Sequence, residues 1–221
     1  MEKERQVLVV FPHPDDEAFG VSGTIASHVN MDTPVTYACL TLGEMGRNMG
    51  NPPFANRETL PNIRKYELKE SARVLGISDL RMLGYRDKTI EFEDPDKLTK
   101  EISDMIDELN PSLIITFYPG YSVHPDHDAT GAAVVRAVEI LPAEKRPKLH
   151  CVAFSNNCVE ELGEADIVYD VSAVANQKFD SIKAHQSQTQ LMMAGMAEGL
   201  KHQDPEVMAR LNFERFWTYK F

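Results

Sequence analysis

Val7-Leu8-Val9-Val10-Phe11-Pro12-His13-Pro14-Asp15-Asp16-Glu17 joins an unbroken apolar run to an imidazole and three carboxylates. The apolar half reads as a strand buried on both faces, the pattern that parallel sheets require. The polar half then falls at the end of that strand. Like charges this close repel one another unless a cation or a donor network holds them. A solvated acidic turn with a chance histidine is the bland alternative. A second cluster, His124-Pro125-Asp126-His127, follows another apolar run at 113–117. Two such clusters at two strand ends make a metal site the leading reading.

Around these two points the chain alternates strands and helices. Residues 17–28 read as helical, 35–42 as a second strand, and 62–75 as a helix closed by Gly76. A short strand falls near 80–83. Leu98, Ile102, Met105, Ile106 and Leu109 recur at helical spacing over 96–109, and Asn110-Pro111 stops them. A crossover helix over 129–140 precedes strands at 149–154 and 167–171, and Ser172 caps a helix running to 185. No repeat, low-complexity tract or linker interrupts the pattern. The expectation is one α/β domain over residues 1–221, Rossmann-like, with a mostly parallel sheet flanked by helices on both faces. In such sheets ligands bind beyond the carboxyl ends of the strands, where strand order reverses. If the first strand and that of 113–117 are neighbours, both clusters meet in one crevice.

Composition narrows the partners. Lys and Arg total 23 against 34 Asp and Glu, a net charge of −11, and no basic tract stands out. Nucleic acid and anionic membranes are disfavoured on that balance. The polar start Met1-Glu2-Lys3-Glu4-Arg5 lacks the apolar core of a signal peptide, and no run approaches transmembrane length. Cys39, Cys151 and Cys158 show no Cys-x-x-Cys spacing, which suits buried reduced thiols. A cytoplasmic protein with a small-molecule substrate is expected.

A catalytic zinc commonly keeps three protein ligands and an open fourth position. His13 and Asp16 lie three residues apart, so a turn entering a helix could aim both at one ion. Asp15 projects differently, towards the ion's water. One histidine of the second cluster could complete the ligands and the other serve the substrate; His127 lies at the start of the helix and His124 in the loop. Asp126 reads equally well as a hydrogen-bond partner of an imidazole or as an acid favoured by a helix N-terminus.

Pro12-His13-Pro14-Asp15-Asp16-Glu17 resembles the Ala-His-Pro-Asp-Asp-Glu signature of the LmbE/PIG-L family of zinc-dependent N-acetylglucosaminyl deacetylases, with Pro12 in place of alanine. His124-Pro125-Asp126-His127 resembles the family's second signature. Thr41-Leu42-Gly43-Glu44, Arg64-Lys65-Tyr66-Glu67 and Lys183-Ala184-His185-Gln186-Ser187-Gln188 extend the likeness over nearly the whole chain. It is most similar to the bacillithiol-biosynthesis deacetylases, which act on N-acetylglucosaminyl-malate. The resemblance implies His13, Asp16 and His127 as ligands of Zn2+, with Fe2+ or another divalent metal as alternatives. It implies Asp15 as general base and His124 as general acid or stabiliser of the tetrahedral intermediate. It also implies a homo-oligomer, trimer or hexamer.

Around this centre the resemblance suggests Glu44 and Arg64 as sugar-contacting or pocket-holding residues. Asp87 falls near the catalytic histidine, followed by Lys88 where relatives carry glycine. Tyr121 is a candidate for holding the intermediate. Arg47 and Arg57 could each pair with a malate carboxylate. The glycine-rich loop 43–57 suits a lid over the crevice better than a phosphate cradle. His185 fits a hydrogen-bonded core position rather than a fourth ligand, and residues 191–196 fit a packed helix face. Rival readings are a deacetylase of a chitobiose-like or inositol-linked conjugate, a non-haem iron oxygenase built on two histidines and a carboxylate, and a non-catalytic sugar- or nucleotide-binding module with a structural metal.

Overall fold

Every side chain of Val7–Phe11 (β1) is apolar and fully buried, which sets this strand in the middle of a sheet covered on both faces. The computed structural model describes residues 1–221. After β1 come α1 (Asp16–Gly20), α2 (Ser22–Asn30), β2 (Val35–Cys39), α3 (Leu60–Leu75), β3 (Asp79–Met82), α4 (Pro95–Leu109) and β4 (Leu113–Phe117). The second half holds α5 (Pro125–Glu139), β5 (Lys148–Val152), α6 (Cys158–Leu162), β6 (Ile167–Asp170), α7 (Ala175–Ala184), α8 (Gln186–Lys201), α9 (Pro205–Asn212) and β7 (Phe213–Thr218).

The strands lie in the order β3-β2-β1-β4-β5-β7-β6. β1 pairs in parallel with β2 and with β4, Val7 standing opposite both Val35 and Leu113. The parallel run extends to β3 and β5, and β7 is antiparallel to β5 and β6. From β1 the chain works outward to β2 and β3, whereas from β4 it works outward to β5 on the other side. Strand order therefore reverses between β1 and β4, and the crevice opens past Phe11 and Phe117.

Successive side chains of a strand face opposite ways. Val7, Val9 and Phe11 join Ile25, Leu68 and Leu75 in a core under α2 and α3. Leu8 and Val10 join Ile102, Ile106, Val134 and Val138 under α4 and α5. A mostly parallel sheet with helices on both faces is thus observed, as the apolar pattern of 7–11 and 113–117 requires.

Several boundaries differ from the sequence expectation, each for a local reason. The helix expected over 17–28 breaks at Val21 into α1 and α2. There the amides of Gly23 and Thr24 donate to the carboxylate of Glu214, so a new helix starts. A Cβ on Gly23 would stand 2.6 Å from Val171, and only glycine lets α2 approach so closely. α5 begins at Pro125 rather than 129, because His124 accepts the amide hydrogen of Asp126 and caps the helix, with Pro125 at its first position. Ser172 does not cap α7; it sits in a 3-10 turn with its amide on Asp170, and α7 starts at Ala175. Strand β7 escapes the apolar pattern because Glu214 and Arg215 interrupt it, yet Glu214 is buried against Lys178. Leu191 and Met192, expected on a packed helix face, are largely exposed, while Met193 and Met196 pack against Ile182 and Leu211. All three cysteines are buried and free. No helix is long and apolar enough to cross a membrane.

Candidate active site

The turn after β1 is held in a conformation that the backbone resists. Asp15 has φ +105°, a region that costs a non-glycine residue about 1–3 kcal/mol. Its amide donates to Glu17 Oε2 at 3.1 Å, and Arg64 Nη2 pairs with its carboxylate at 3.1 Å. Arg64 also donates to the carbonyls of Pro14 and, at 3.0 Å, Gly43. Gly43 has φ +61°, and a Cβ there would stand 1.8 Å from Arg64 Nη1, so glycine is needed for this clamp. Glu17 is wholly buried and takes hydrogen bonds from Ser71 Oγ at 2.6 Å and Tyr37 at 3.2 Å, with His185 Nε2 at 2.6 Å. Glu17 and His185 are therefore supports of the turn.

Two imidazole nitrogens and the carboxylate of Asp16 converge beside Asp15. His13 Nδ1 is 3.2 Å from His127 Nε2 and 3.5 Å from Asp16 Oδ2, and His127 Nε2 is 3.4 Å from Asp16 Oδ1. The outer nitrogens explain their orientation. His13 Nε2 faces Asp126 Oδ2 at 3.1 Å and Asp87 Oδ1 at 3.2 Å, so it carries hydrogen. His127 Nδ1 donates to the Ser122 carbonyl at 3.0 Å. With both rings neutral, the inner nitrogens present lone pairs to each other, an arrangement that repels unless a proton or a metal cation sits between. Zinc bound tetrahedrally at about 2.0–2.1 Å holds its ligands about 3.3–3.4 Å apart. The observed spacings fit that demand, with acceptors behind both rings as metal-bound histidines require.

His124 also brings a ring nitrogen within 4.8 Å of those of His13 and His127. Its Nδ1, however, accepts the Asp126 amide at 3.1 Å, leaving Nε2–H to face outward. His13, Asp87 and Asp126 form a second close group. There the carboxylates already take backbone hydrogens, Asp87 from Met45 and Asp126 from Lys88 and Ile90. These acids hold His13 from behind, which resolves Asp126 as a partner of an imidazole placed in the first turn of α5.

The electrostatics follow the geometry. Burial disfavours a charged His13, yet Asp126, Asp16 and Asp87 overcome this and raise its pKa well above the ordinary value. Burial likewise opposes Asp16, but His127 and His13 hold its carboxyl far below the usual range. Burial pushes Asp15 up to about 6 against the pull of Arg64. His124 is lowered by burial and by the neighbouring imidazoles, which favours its neutral form.

These residues line a crevice of about 280 Å³, whose outer wall carries Met45, Arg47, Lys88 and Gln188. The 43–57 loop is bonded to α8: Asn48 donates to the Gln188 carbonyl, Gln188 to that of Arg47, and the Asn51 amide to Gln190. Glu44 stands behind this wall and accepts the Asp87 amide at 3.1 Å. Two further candidates, like Glu44, do not line the crevice. Tyr121 donates to Glu161 at 2.9 Å, and Arg57 is exposed with Met45 Sδ as its polar neighbour. Lys88 and Gln188 are lining residues that sequence reasoning did not place there. Lys88 carried a signal, a bulky residue where relatives have glycine, and its φ is +64°.

Comparison with known proteins gives a consistent result. Residues 8–138 match the family model described as PIG-L, GlcNAc-PI de-N-acetylase. The chain is 54% identical over 218 residues to a probable N-acetyl-alpha-D-glucosaminyl L-malate deacetylase 2 of Bacillus cereus, covering 99% of each chain. A protein of the same name from Bacillus subtilis is 52% identical over 99% of each. Among solved structures, the N,N'-diacetylchitobiose deacetylase of Pyrococcus horikoshii aligns with TM-score 0.74 at 23% identity, over 98% of this chain and 84% of that one. A 4-carboxy-2-hydroxymuconate hydratase of Pseudomonas putida aligns with TM-score 0.73 at 18% identity, over 98% and 97%. One fold thus carries both deacetylation and hydration, so the reaction must be argued from the site.

Proposed function

The chain belongs to the PIG-L family of de-N-acetylases, and from that membership and the crevice we propose that it hydrolyses the N-acetyl group of N-acetylglucosaminyl-malate, a step of bacillithiol biosynthesis, with zinc as its metal. The observation that carries the reading is the meeting of His13 Nδ1, His127 Nε2 and the two carboxylate oxygens of Asp16, with contacts of 3.2–3.5 Å, beside a strained Asp15. It stands in a chain more than half identical, along its length, to proteins bearing that deacetylase name.

His13, Asp16 and His127 would hold the cation, whose contribution when bound is Lewis acidity towards a water and the amide carbonyl. Asp15, with a pKa of about 6, is suited to take the proton of the attacking water near neutral pH. Arg64 keeps its carboxylate aimed while the backbone is strained. His124 offers Nε2–H to the oxygen of the tetrahedral carbon, the stabilising role among the two expected of it. The proton held on Asp15 is then available to the departing amine. Arg47 and Lys88 bring two cations to the crevice wall, matching the two carboxylates of a malate aglycone.

The reading includes a cytoplasmic location, supported by three buried free thiols, and a trimer or hexamer, supported by exposed apolar side chains such as Leu191. Light scattering checks the second. The decisive experiment is acetate release by zinc-reconstituted protein from N-acetylglucosaminyl-malate, diacetylchitobiose and an N-acetylglucosaminyl-inositol. The malate conjugate should turn over fastest. Absence of release from all three overturns the reading, and a faster inositol or chitobiose substrate overturns its aglycone.

A further inference from the structure

Asp15, Asp16 and His127 line two cavities rather than one. The first is the polar crevice already described. The second, about 450 Å³, is walled by Phe11, Phe19, Gly20, Phe117, Val152 and Phe154. A neighbouring hollow of about 440 Å³ shares Phe19, Gly20, Val152 and Phe154 as wall residues and is lined further by Met196 and Trp217. Its charged members are Lys178, Arg210, Glu214 and Arg215. An acetyl methyl needs little more than the ~30 Å³ share of one water molecule. The space behind the reacting centre is therefore many times what acetyl uses. Phe19 and Phe154 are 44% and 46% exposed, a costly display of aromatic surface beside a hydrolytic site.

The two substituents of an amide leave its carbonyl and nitrogen in opposite directions. With Arg47, Lys88 and Gln188 on one side of Asp15 and His127, and phenylalanines on the other, the sugar and its aglycone fit the first side and the acyl chain the second. We propose that this apolar groove is an acyl subsite and that the enzyme hydrolyses N-acyl glucosaminides with chains well beyond acetyl. The proposal rests on the deacetylase reading for its chemistry. Water adds its hydroxyl to the acyl carbon, the C–N bond breaks, and the proton goes to the amine, giving a fatty carboxylate and the free amino sugar.

Gly20 provides the test. Its Cβ position meets only Val152, at 3.7 Å, so a larger side chain can be placed there and would project into the groove. N-acetyl, N-butyryl and N-hexanoyl glucosaminyl-malate are to be compared as substrates of the parent and of Gly20→Leu. In the parent, kcat/KM for hexanoyl should equal or exceed that for acetyl, since each buried methylene is worth roughly fourfold in binding. Gly20→Leu should lower hexanoyl turnover at least tenfold more than it lowers acetyl turnover. A parent that loses more than tenfold at butyryl overturns the proposal, as a second copy covering the groove would cause. So does a variant in which all chain lengths fall together. Calorimetric binding of the hexanoyl and acetyl conjugates to metal-free protein separates the two claims. A hexanoyl preference erased by Gly20→Leu supports the groove even without turnover, whereas failure to release acetate strikes only the deacetylase reading.

Discussion

Glu214 and Asp16 are both carboxylates withdrawn from water, and the fold completes only one of them. Glu214 receives the amides of Gly23 and Thr24, the Thr24 hydroxyl and the Lys178 ammonium, all within 2.9 Å. Asp16 accepts the His13 amide but otherwise faces two imidazole nitrogens whose hydrogens lie on the opposite sides of their rings. The first acid is closed by protein and serves to join β7 to α2 and α7. The second leaves a partner to come from outside. On the proposed reading, chemistry collects where a buried charge is left incomplete, and burial alone does not mark it.

The strongest way to test that contrast is Asp15→Asn, which removes the proposed proton acceptor but none of the proposed metal donors. Turnover should fall on the order of 10³-fold, with bound metal unchanged by elemental analysis. Turnover at the parent rate would break the base assignment. The matching change on the closed side is Lys178→Met, which strands Glu214 and should cost about 3–5 kcal/mol in urea denaturation. Metal content and KM of the folded fraction should not move. If metal is lost while stability holds, the two acids are not separate devices.

His28 and His150 are a third kind of buried group, neutral and without ion partners. Both Nδ1 atoms lack hydrogen bonds, and burial pulls each pKa down to about 4. An unfolded histidine titrates near 6.5, so between pH 6.5 and 4 the unfolded chain binds protons that the folded chain refuses. Stability should be full above pH 6.5 and fall as pH drops towards 4, by about 3 kcal/mol for each group. Denaturation of parent and His150→Gln at pH 7 and 4.5 checks this, the variant losing less. The smallest effect is expected from Asp126→Asn, which weakens the acceptor behind His13 and should lower metal affinity about 10–100-fold, read by competition with a chelator.

Local pattern was enough to place β1, β4 and the two clusters, because a run such as Val7–Phe11 has no use outside a doubly covered sheet. It was also enough to put His13, Asp15, Asp16, His124 and His127 at two strand ends, whose adjacency came only with the pairing of β1 and β4. It did not reveal that Val21 breaks a helix or that Phe213–Thr218 is a strand, since both depend on Glu214 meeting residues some 190 positions away. The cap formed by His124 was hidden because histidine is an unusual capping residue. Tyr121 and Arg57 lie close in sequence to the right loops, but their side chains turn to Glu161 and Met45. Position along a loop says little about aim.

The amino-acid sequence by itself determined which titratable groups stand at the two strand ends, because residue type sets charge, basicity and metal preference before any folding. It also determined the central buried strands β1 and β4, because hydrophobic periodicity is local. Tertiary structure alone decided which nitrogen of each histidine faces inward, through Asp126 and the Ser122 carbonyl. It alone decided that the same three residues border a polar crevice and an apolar groove. Those outcomes depend on distances of a few ångströms between residues far apart in the chain, and such distances exist only after packing.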